Sequence, residues 1–274
     1  DGFDFYNVTF PDSAEGRYPT VSLRDSHSNL WFGCNDGSVF YTGDNALEPV
    51  EISNSRVINT ILEGADGLIY IFPQGGSLFS LNPAQPEKIN EYEIPQDLIV
   101  FTAAFKGNGD LLIGTQENIK VCRIENNVLN VVETIEGFDY SGVLSIYRMG
   151  GSEKYLIGTD GNGLFHLDMS ENGIRLARIT GYPEIEYMTA RSITKDTDNY
   201  LWIATNENGI LQLSLEDDGT RIKTLKFFNK DSGLAGNNAR LVFQDLEGNY
   251  WMGLFGDGLS LLNSYAFSFF APIT

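Results

Sequence analysis

A short phrase of strand-like residues returns six times along this chain, and it limits the fold more than any other feature. The clearest copy is an apolar run at residues 200–205, a turn at 206–209 and a second apolar run at 210–215. The residues that align at the centre of the first run are Trp31, Tyr70, Leu112, Leu156, Trp202 and Trp251. They stand roughly 40 to 50 residues apart, which is the period of four-stranded propeller blades.

The repeat therefore predicts an all-β chain that forms a single β-propeller of four-stranded antiparallel blades. We count six blades, with seven as the alternative. Length alone would suggest about two domains for 274 residues. Six repeats of this size use up the whole chain, so we predict one domain over residues 1–274. The repeat cores lie near residues 29–41, 67–81, 109–124, 154–168, 199–215 and 248–263.

The fifth repeat shows how one copy becomes a blade. Strand-like runs at 191–195, 200–205, 210–215 and 221–228 alternate with turn-forming residues, as at 196–199. A small residue follows the central residue by two positions in most copies, which allows a neighbouring backbone to approach closely. Phe72 departs from this rule, so either the neighbouring blade leaves more room or the second repeat has a different register. Residues 4–10 and 265–270 are predicted to be strands, either of which could complete the last blade.

The charge balance excludes one group of partners. The chain has 18 basic and 37 acidic residues, a formal charge of −19. Such a surface repels nucleic acids, sulfated glycans and anionic membranes. Neither a stretch of roughly 20 apolar residues nor a signal-like start is present. We therefore expect a mature or excised soluble piece that meets a membrane only through a missing segment of a parent protein. Cys34 and Cys122 fall in non-adjacent repeats and are predicted to be buried free thiols.

The sixth repeat resembles a known family. Residues 231–253 read Asp-Ser-Gly-Leu-Ala-Gly-Asn-Asn-Ala-Arg-Leu-Val-Phe-Gln-Asp-Leu-Glu-Gly-Asn-Tyr-Trp-Met-Gly. This run is similar to the two-component regulator propeller repeat, and repeats one, four and five match it more loosely. The resemblance implies a ligand-sensing extracytoplasmic region, periplasmic or extracellular, of a bacterial sensor histidine kinase or hybrid two-component system. It also implies that carbohydrate fragments are the ligands. The seven-bladed propeller pairs and the immunoglobulin-like domain frequent in that family are not found in this sequence.

Catalytic and metal-binding patterns are weak. The two histidines, His27 and His166, fall in different repeats, and no nucleophile elbow, phosphate loop or cysteine–histidine ligand spacing occurs. The segments 160–163 and 196–199 resemble calcium loops but lack the later glutamate, and their Asp, Asn and Gly residues are also what tight turns require. We favour turns. The sequence thus predicts no enzyme activity in this fragment, no catalytic or metal site and no cofactor.

A ligand site is better supported. In a propeller, the link between blades and the turn between the second and third strands of each blade leave on the same face. Aromatic rings beside Arg, Asn and Asp suit sugars, which offer both apolar faces and hydroxyls. The predicted ligand-binding residues are Tyr18, Arg56, Tyr140, Tyr187, Arg191, Asn237, Asn238, Arg240, Phe255 and Asp257.

Two of these residues, Arg191 and Arg240, occupy equivalent positions, eleven residues before Trp202 and Trp251. Their charges would favour a carboxylated sugar, unless they pair with acids such as Glu186 or Asp257. We expect a non-enzymatic sensor that binds an oligosaccharide or related small molecule, with a homodimer mate or a neighbouring sensor domain as partner. The alternatives are a protein-interaction scaffold and, third, a propeller lyase or glycosidase.

Overall fold

The structure is a computed structural model that describes residues 16–42, 47–170 and 173–263, together with the backbone of 267–270. Within these residues the regular secondary structure is almost entirely β-strand. Helix is limited to α1 (Pro183–Glu186) and a single 3₁₀ turn at Lys230–Ser232. The chain divides into two compact units. One comprises Asp1–Ile113 and Lys120–Glu133, and the other Gly114–Ile119 and Thr134–Thr274.

The first unit opens with a four-stranded antiparallel sheet whose strands are adjacent in chain order. These strands are β1 (Pro19–Arg24), β2 (Leu30–Cys34), β3 (Val39–Thr42) and β4 (Leu47–Val50). Repeats two and three follow as one eight-stranded sheet in the order β5-β6-β7-β8-β12-β11-β10-β9. Its strands are β5 (Ile58–Glu63), β6 (Ile69–Pro73), β7 (Ser77–Asn82), β8 (Gln85–Glu93), β9 (Thr102–Phe105), β10 (Leu111–Gly114), β11 (Ile119–Glu125) and β12 (Val128–Ile135).

The eight-stranded sheet consists of two antiparallel four-stranded runs joined at their last strands. Glu93 in β8 pairs in parallel with Val128 in β12, and the Glu93 amide donates to the Asn127 carbonyl at 2.9 Å. The turn before β12 brings the chain to this contact with two left-handed residues, Asn126 and Asn127. Asparagine tolerates that conformation better than most residues. A local turn thus converts two repeats into one continuous sheet.

The second unit contains three four-stranded antiparallel sheets, each with its strands in chain order. The first holds β13 (Val143–Arg148), β14 (Lys154–Thr159), β15 (Leu164–Asp168) and β16 (Arg175–Arg178). The second holds β17 (Ala190–Lys195), β18 (Leu201–Thr205), β19 (Ile210–Leu215) and β20 (Ile222–Phe228). The third holds β21 (Ala239–Gln244), β22 (Tyr250–Leu254), β23 (Gly258–Leu262) and β24 (Phe267–Phe270).

The strands predicted for the fifth repeat are confirmed to within one residue at each end as β17 to β20. The second strand, β18, is buried at all five positions, as expected for a strand packed on both faces. The predicted strand at 265–270 is confirmed over Phe267–Phe270, which pairs with β23. The predicted strand at 4–10 lies outside the described residues.

Small residues do allow close approach between sheets, as predicted. A methyl group on Gly33 would lie 2.6 Å from Ile58 Cβ, and one on Gly158 would lie 2.6 Å from the Ala190 carbonyl oxygen. Phe72 keeps the common register, since it lies opposite Thr60 just as Gly33 lies opposite Val21. The neighbouring strand is what differs. Phe72 is fully buried in a cluster that includes Val100 and Ala103.

The turn between the first two strands of three repeats is tied to its aligned tryptophan. The Nε1 of Trp31, Trp202 and Trp251 donates to the carboxylate six residues earlier, in Asp25, Asp196 and Asp245 respectively. The distances are 2.9, 2.7 and 2.8 Å. The same carboxylates accept from backbone amides of their own turns. The recurring Asp and Trp therefore stabilise the blade.

The two cysteines are free and buried, as predicted. In the part of the chain that the structure describes, no helix is both long and apolar enough to span a bilayer.

Candidate functional site

Topology brings the predicted ligand-binding residues of the second unit to one end of its sheets. In an antiparallel sheet with strands in chain order, the second-to-third turn and the link to the next sheet leave at the same end. We name these segments, which are 136–142, 160–163, 179–189, 206–209, 229–238 and 255–257, the link-side loops of the second unit. They carry Tyr140, Tyr187, Asn237, Asn238, Phe255 and Asp257. Arg191 and Arg240 are the second residues of the strands β17 and β21 that follow two of these loops.

Three aromatic rings stand out into solvent on these loops. Tyr140 is 86% exposed, Tyr187 is 77% exposed and Phe255 is 62% exposed. Large apolar surfaces are normally packed, and exposed ones mark binding surfaces when they cluster. These rings are therefore available for stacking against a ligand.

The loop that carries Tyr140 is a tight turn anchored by a buried ring. Phe138 is fully buried and packs edge-to-face on Phe165, with ring centroids 5.2 Å apart. The Ser141 amide donates to the Phe138 carbonyl at 3.0 Å, and the two residues between, Asp139 and Tyr140, have φ of 51° and 59°. Two left-handed central residues define a type I′ turn. The turn holds the Tyr140 side chain in solvent.

Arg178, at the end of β16, joins two of the link-side loops. Its guanidinium donates to the Asp139 carboxylate at 2.9 Å and to the Glu186 carbonyl at 3.1 Å. It also lies over the Phe165 ring, with Cζ 5.1 Å from the ring centroid. Asp139 precedes Tyr140 and Glu186 precedes Tyr187, so one guanidinium binds the residue before each exposed tyrosine.

The loop that carries Tyr187 is fixed by its neighbours as well. Ile185 and Met188, on either side of Glu186 and Tyr187, are buried. The Gly163 amide donates to the Met188 carbonyl at 3.0 Å. Next along the chain, the Thr189 hydroxyl donates to the Asp160 carboxylate at 3.0 Å.

Arg191 has a different partner from the acids considered in the sequence. Its Nε donates to the Asn206 side-chain oxygen at 2.6 Å. The Glu186 carbonyl accepts from Arg178 instead. The amide that binds Arg191 comes from the 206–209 turn between β18 and β19.

Arg240 stacks on an aromatic ring of its own sheet. Its Cζ lies 4.6 Å from the Phe255 centroid, which is cation–π geometry. Beside it, a methyl group on Gly236 would lie 3.0 Å from Asp257 Cβ, so the loop and the Asp257 side chain are in close contact.

The two asparagines before β21 differ in role. Asn237 is structural in part, because its side-chain oxygen accepts from the Lys230 amide at 2.8 Å and its carbonyl accepts from the Gly209 amide at 2.8 Å. The Asn238 side-chain oxygen is buried and has no hydrogen-bond partner among the described residues. An unpaired buried acceptor is costly unless a water or ligand donor fills it.

In the first unit, the predicted residues lie in the corresponding loops. Tyr18 is 58% exposed and its amide donates to the Asn35 side-chain oxygen at 2.8 Å. Arg56 is exposed and its side chain passes beside Gly75. Near these loops is a cavity of about 230 Å³ lined by Arg17, Ser38, Val39, Phe40, Glu51 and Asn54 among others. The Arg17 guanidinium is paired with Asp36 at 2.6 Å.

The two histidines lie in the repeats to which the sequence assigned them. His27 is exposed in a turn, with Nδ1 3.3 Å from the Ser26 hydroxyl oxygen. His166 is buried within β15, and burial lowers the pKa of its imidazole. Segment 196–199 forms the turn that the sequence favoured, closed by the Asn199 amide donating to the Asp196 carbonyl at 3.2 Å. No cluster of three potential metal ligands occurs within residues 16–42, 47–170 and 173–263.

Sequence reasoning missed Arg178 and Asp139. They are 39 residues apart, so no local pattern links them. A signal did exist in the dipeptide Asp139–Tyr140, which follows Gly137 and Phe138 in a link segment. Asparagine and glycine are common in tight turns because they adopt positive φ readily, and tyrosine does not share this property.

Comparisons with known proteins show the fold. No family model matches the chain, and no curated protein matches it in sequence. The extracellular domain of a putative hybrid two-component system from B. thetaiotaomicron superposes with a TM-score of 0.55 at 16% identity. That alignment covers 95% of this chain and 40% of the other. PorZ, a surface component of the type-IX secretion system of Porphyromonas gingivalis, gives a TM-score of 0.66 at 15% identity. That alignment covers 87% of this chain and 37% of PorZ.

The WD40 β-propeller domain of Doa1 gives a TM-score of 0.63 at 14% identity, covering 90% of this chain and 77% of that domain. The predicted all-β architecture of four-stranded sheets arranged as a propeller is therefore confirmed. The structural neighbours include the extracellular domain of a putative hybrid two-component system, which agrees with the resemblance seen in the sequence. At this identity, the likeness shows the fold alone. The chain spans less than half the length of the B. thetaiotaomicron neighbour.

Proposed function

We propose that this chain is a non-enzymatic sensing propeller of a bacterial two-component signalling protein, and that it binds a carbohydrate or a related small molecule. The observation that carries the proposal is the set of exposed rings on link-side loops, Tyr140, Tyr187 and Phe255. Saccharides bind where aromatic faces stack on their C–H surfaces and nearby polar groups bond their hydroxyls.

Polar groups of both kinds lie next to these rings. Arg240 stacks on Phe255, and Arg191 is held at the start of the neighbouring sheet by Asn206. Asn238 offers an unpaired acceptor. Tyr18 and Arg56 are the corresponding candidates of the first unit. The full candidate set is Tyr18, Arg56, Tyr140, Tyr187, Arg191, Asn237, Asn238, Arg240, Phe255 and Asp257.

The proposal includes an architecture of six blades in one domain, in which repeats two and three share the eight-stranded sheet. It also includes an extracytoplasmic location, which is supported by the B. thetaiotaomicron neighbour being an extracellular domain. A bound ligand would signal by favouring one arrangement of this domain relative to a homodimer mate or a neighbouring sensor domain. It can do so only through its difference in affinity for the two states.

Isothermal titration calorimetry of the chain against a panel of neutral and acidic oligosaccharides tests the proposal. We expect saturable binding of at least one oligosaccharide, and its loss when Phe255 and Tyr140 are replaced together by alanine. Absence of binding across the panel by folded protein would contradict it. Release of new reducing ends from a polysaccharide panel would favour a lyase or glycosidase instead.

One observation favours the scaffold alternative. Val131 and Val132, adjacent on β12, are 41% and 50% exposed. Exposed neighbouring apolar side chains are a surface that another protein can contact. If the chain is a scaffold, charge substitutions at these two valines will abolish partner binding, whereas substitutions at the exposed link-side aromatics will not.

A further inference from the structure

Two exposed tyrosines in the second unit are tied to a single arginine. Arg178 Nη2 donates to the carboxylate of Asp139, the residue before Tyr140, at 2.9 Å. Arg178 Nη1 donates at 3.1 Å to the carbonyl of Glu186, the residue before Tyr187. The guanidinium is planar and carries its donors in a fixed fork, so the two acceptors are held in a fixed relation. The loops bearing both tyrosines are therefore positioned by one group.

Folding does not explain Tyr140. Position three of a type I′ turn strongly favours glycine, because φ is positive there. Tyr140 has φ of 59° and gains little burial in return, since 86% of its surface is exposed. A residue with a strained backbone and a largely exposed side chain points to a function outside the fold. Tyr187 is similarly exposed, although the nearby residues Ile185 and Met188 in the same loop are buried.

We propose that Tyr140 and Tyr187 form an aromatic subsite for a neutral sugar ring, and that Arg178 is its positioning residue. This inference rests on the proposed carbohydrate-binding function and deepens it. The ring faces supply stacking surface, and the phenol groups can both donate to and accept from sugar hydroxyls. Rigid aromatic side chains lose little entropy on binding, which makes them efficient contact residues.

The surrounding charges select a neutral rather than an acidic sugar. The guanidinium of Arg178 is occupied by Asp139, the Glu186 carbonyl and the ring of Phe165. The link-side loops 136–142, 160–163, 179–189 and 206–209 contain acidic residues and neither lysine nor arginine. A carboxylated sugar would meet like charge without a free cation in these loops. This differs from the carboxylated ligand that Arg191 and Arg240 suggested in the sequence.

Tyr140→Gly is the most informative variant, because glycine suits the turn while removing the ring. Xylotriose, cellotriose and galactotriose are the neutral probes, and trigalacturonate is the acidic probe. We expect the neutral trisaccharide that binds the wild type to bind Tyr140→Gly about tenfold more weakly or worse, about 1.4 kcal/mol. The melting temperature should not fall. Tyr140→Phe keeps the ring and should retain most of the affinity.

Arg178→Met tests positioning. Both tyrosines remain in this variant, yet we expect weaker binding and faster hydrogen exchange at the Ser141 amide, which closes the Tyr140 turn. Arg178→Lys should restore only part of the lost affinity, because one ammonium group cannot reproduce the forked donors of the guanidinium. Tyr200→Ala is the matched control. Tyr200 is also a partly exposed ring of the second unit, but it precedes β18 at the opposite end of the sheet.

The outcomes separate this inference from the proposed function. If the wild type binds no probe, the proposed function fails first. If it binds a neutral probe and Tyr140→Gly binds equally well, only the subsite is wrong. A preference for trigalacturonate, or a Tyr140→Gly variant that loses stability together with binding, would also overturn the subsite.

Discussion

Replacing Asp196 with alanine removes an acceptor shared by two sheets of the second unit. The buried Asp196 carboxylate accepts from Trp202 Nε1 at 2.7 Å within its own sheet and from the Tyr250 hydroxyl of the next sheet at 2.9 Å. Trp202 is 1% exposed, and its ring lies 4.2 Å from that of Tyr250. Burial, with the hydrogen bond to Asp196, raises the pKa of Tyr250, so its hydroxyl remains a donor at all ordinary pH values.

The cost follows from the two donors left without an acceptor. An unsatisfied buried donor costs about 1–3 kcal/mol. Trp202 Nε1 is buried whereas Tyr250 is only partly buried, so Asp196→Ala should lower the free energy of unfolding by about 3 kcal/mol. Urea denaturation followed by tryptophan fluorescence measures this change. In a double-mutant cycle with Tyr250→Phe, the coupling between the two sites should be about 1–2 kcal/mol.

Asp245→Ala is the matched control. Asp245 accepts from Trp251 Nε1 at 2.8 Å in the same local geometry, but Trp251 is only partly buried. Water can replace the lost acceptor there, so we expect a cost of about 1 kcal/mol. The reasoning is refuted if the two alanine variants are equally stable, or if Tyr250→Phe shows no coupling to Asp196.

Three further results are expected. Gly158→Ala should destabilise the second unit by about 1–3 kcal/mol in urea denaturation, because the new methyl meets the Ala190 carbonyl at 2.6 Å. Burial lowers the pKa of His166, so the unfolded chain binds the proton more readily than the folded chain does. The free energy of unfolding should therefore be highest above about pH 6.5 and should fall as the pH is lowered. His166→Gln should flatten this pH dependence. Burial raises the pKa of Cys34 to about 11 and of Cys122 to about 12, so neither thiol should react with a disulfide reagent in native protein, and both should react after unfolding.

The first of these has a control in the chain. Gly253→Ala should be nearly neutral, because the nearest atom to its new methyl is a flexible Leu241 side-chain carbon at 3.1 Å. Rapid native-state labelling of either cysteine would contradict the buried positions found for them.

Local order was predictable because strand pairing within a blade depends on neighbouring residues. The alternation of apolar residues and the turn residues at 196–199 and 206–209 predicted β17 to β20 to within one residue at each end. The packing role of Gly33 and Gly158 was predictable for the same reason, since their place in the repeat sets their place in the sheet.

The candidate site was predictable only in its aromatic residues. Tyr140, Tyr187 and Phe255 were identified from loop position, and all three are exposed. Arg191 was placed near the start of its strand, and its Nε donates to the Asn206 amide oxygen, a partner that the sequence did not suggest. Arg178 was missed altogether, because its hydrogen-bond acceptors lie in loops whose lengths and turns differ between repeats.

The repeating unit follows from the amino-acid sequence, because its four short strands and the Asp–Trp pair that closes the first turn of three copies recur at fixed spacings. These depend on contacts between residues close in the chain, which the same local pattern produces each time. Contacts between side chains of distant segments emerge only in the folded chain. Asp196 accepts from Tyr250, 54 residues away, and Arg178 joins Asp139 to Glu186. Those contacts depend on how twisted sheets stack and on where irregular links carry the chain, and neither is encoded in the repeat.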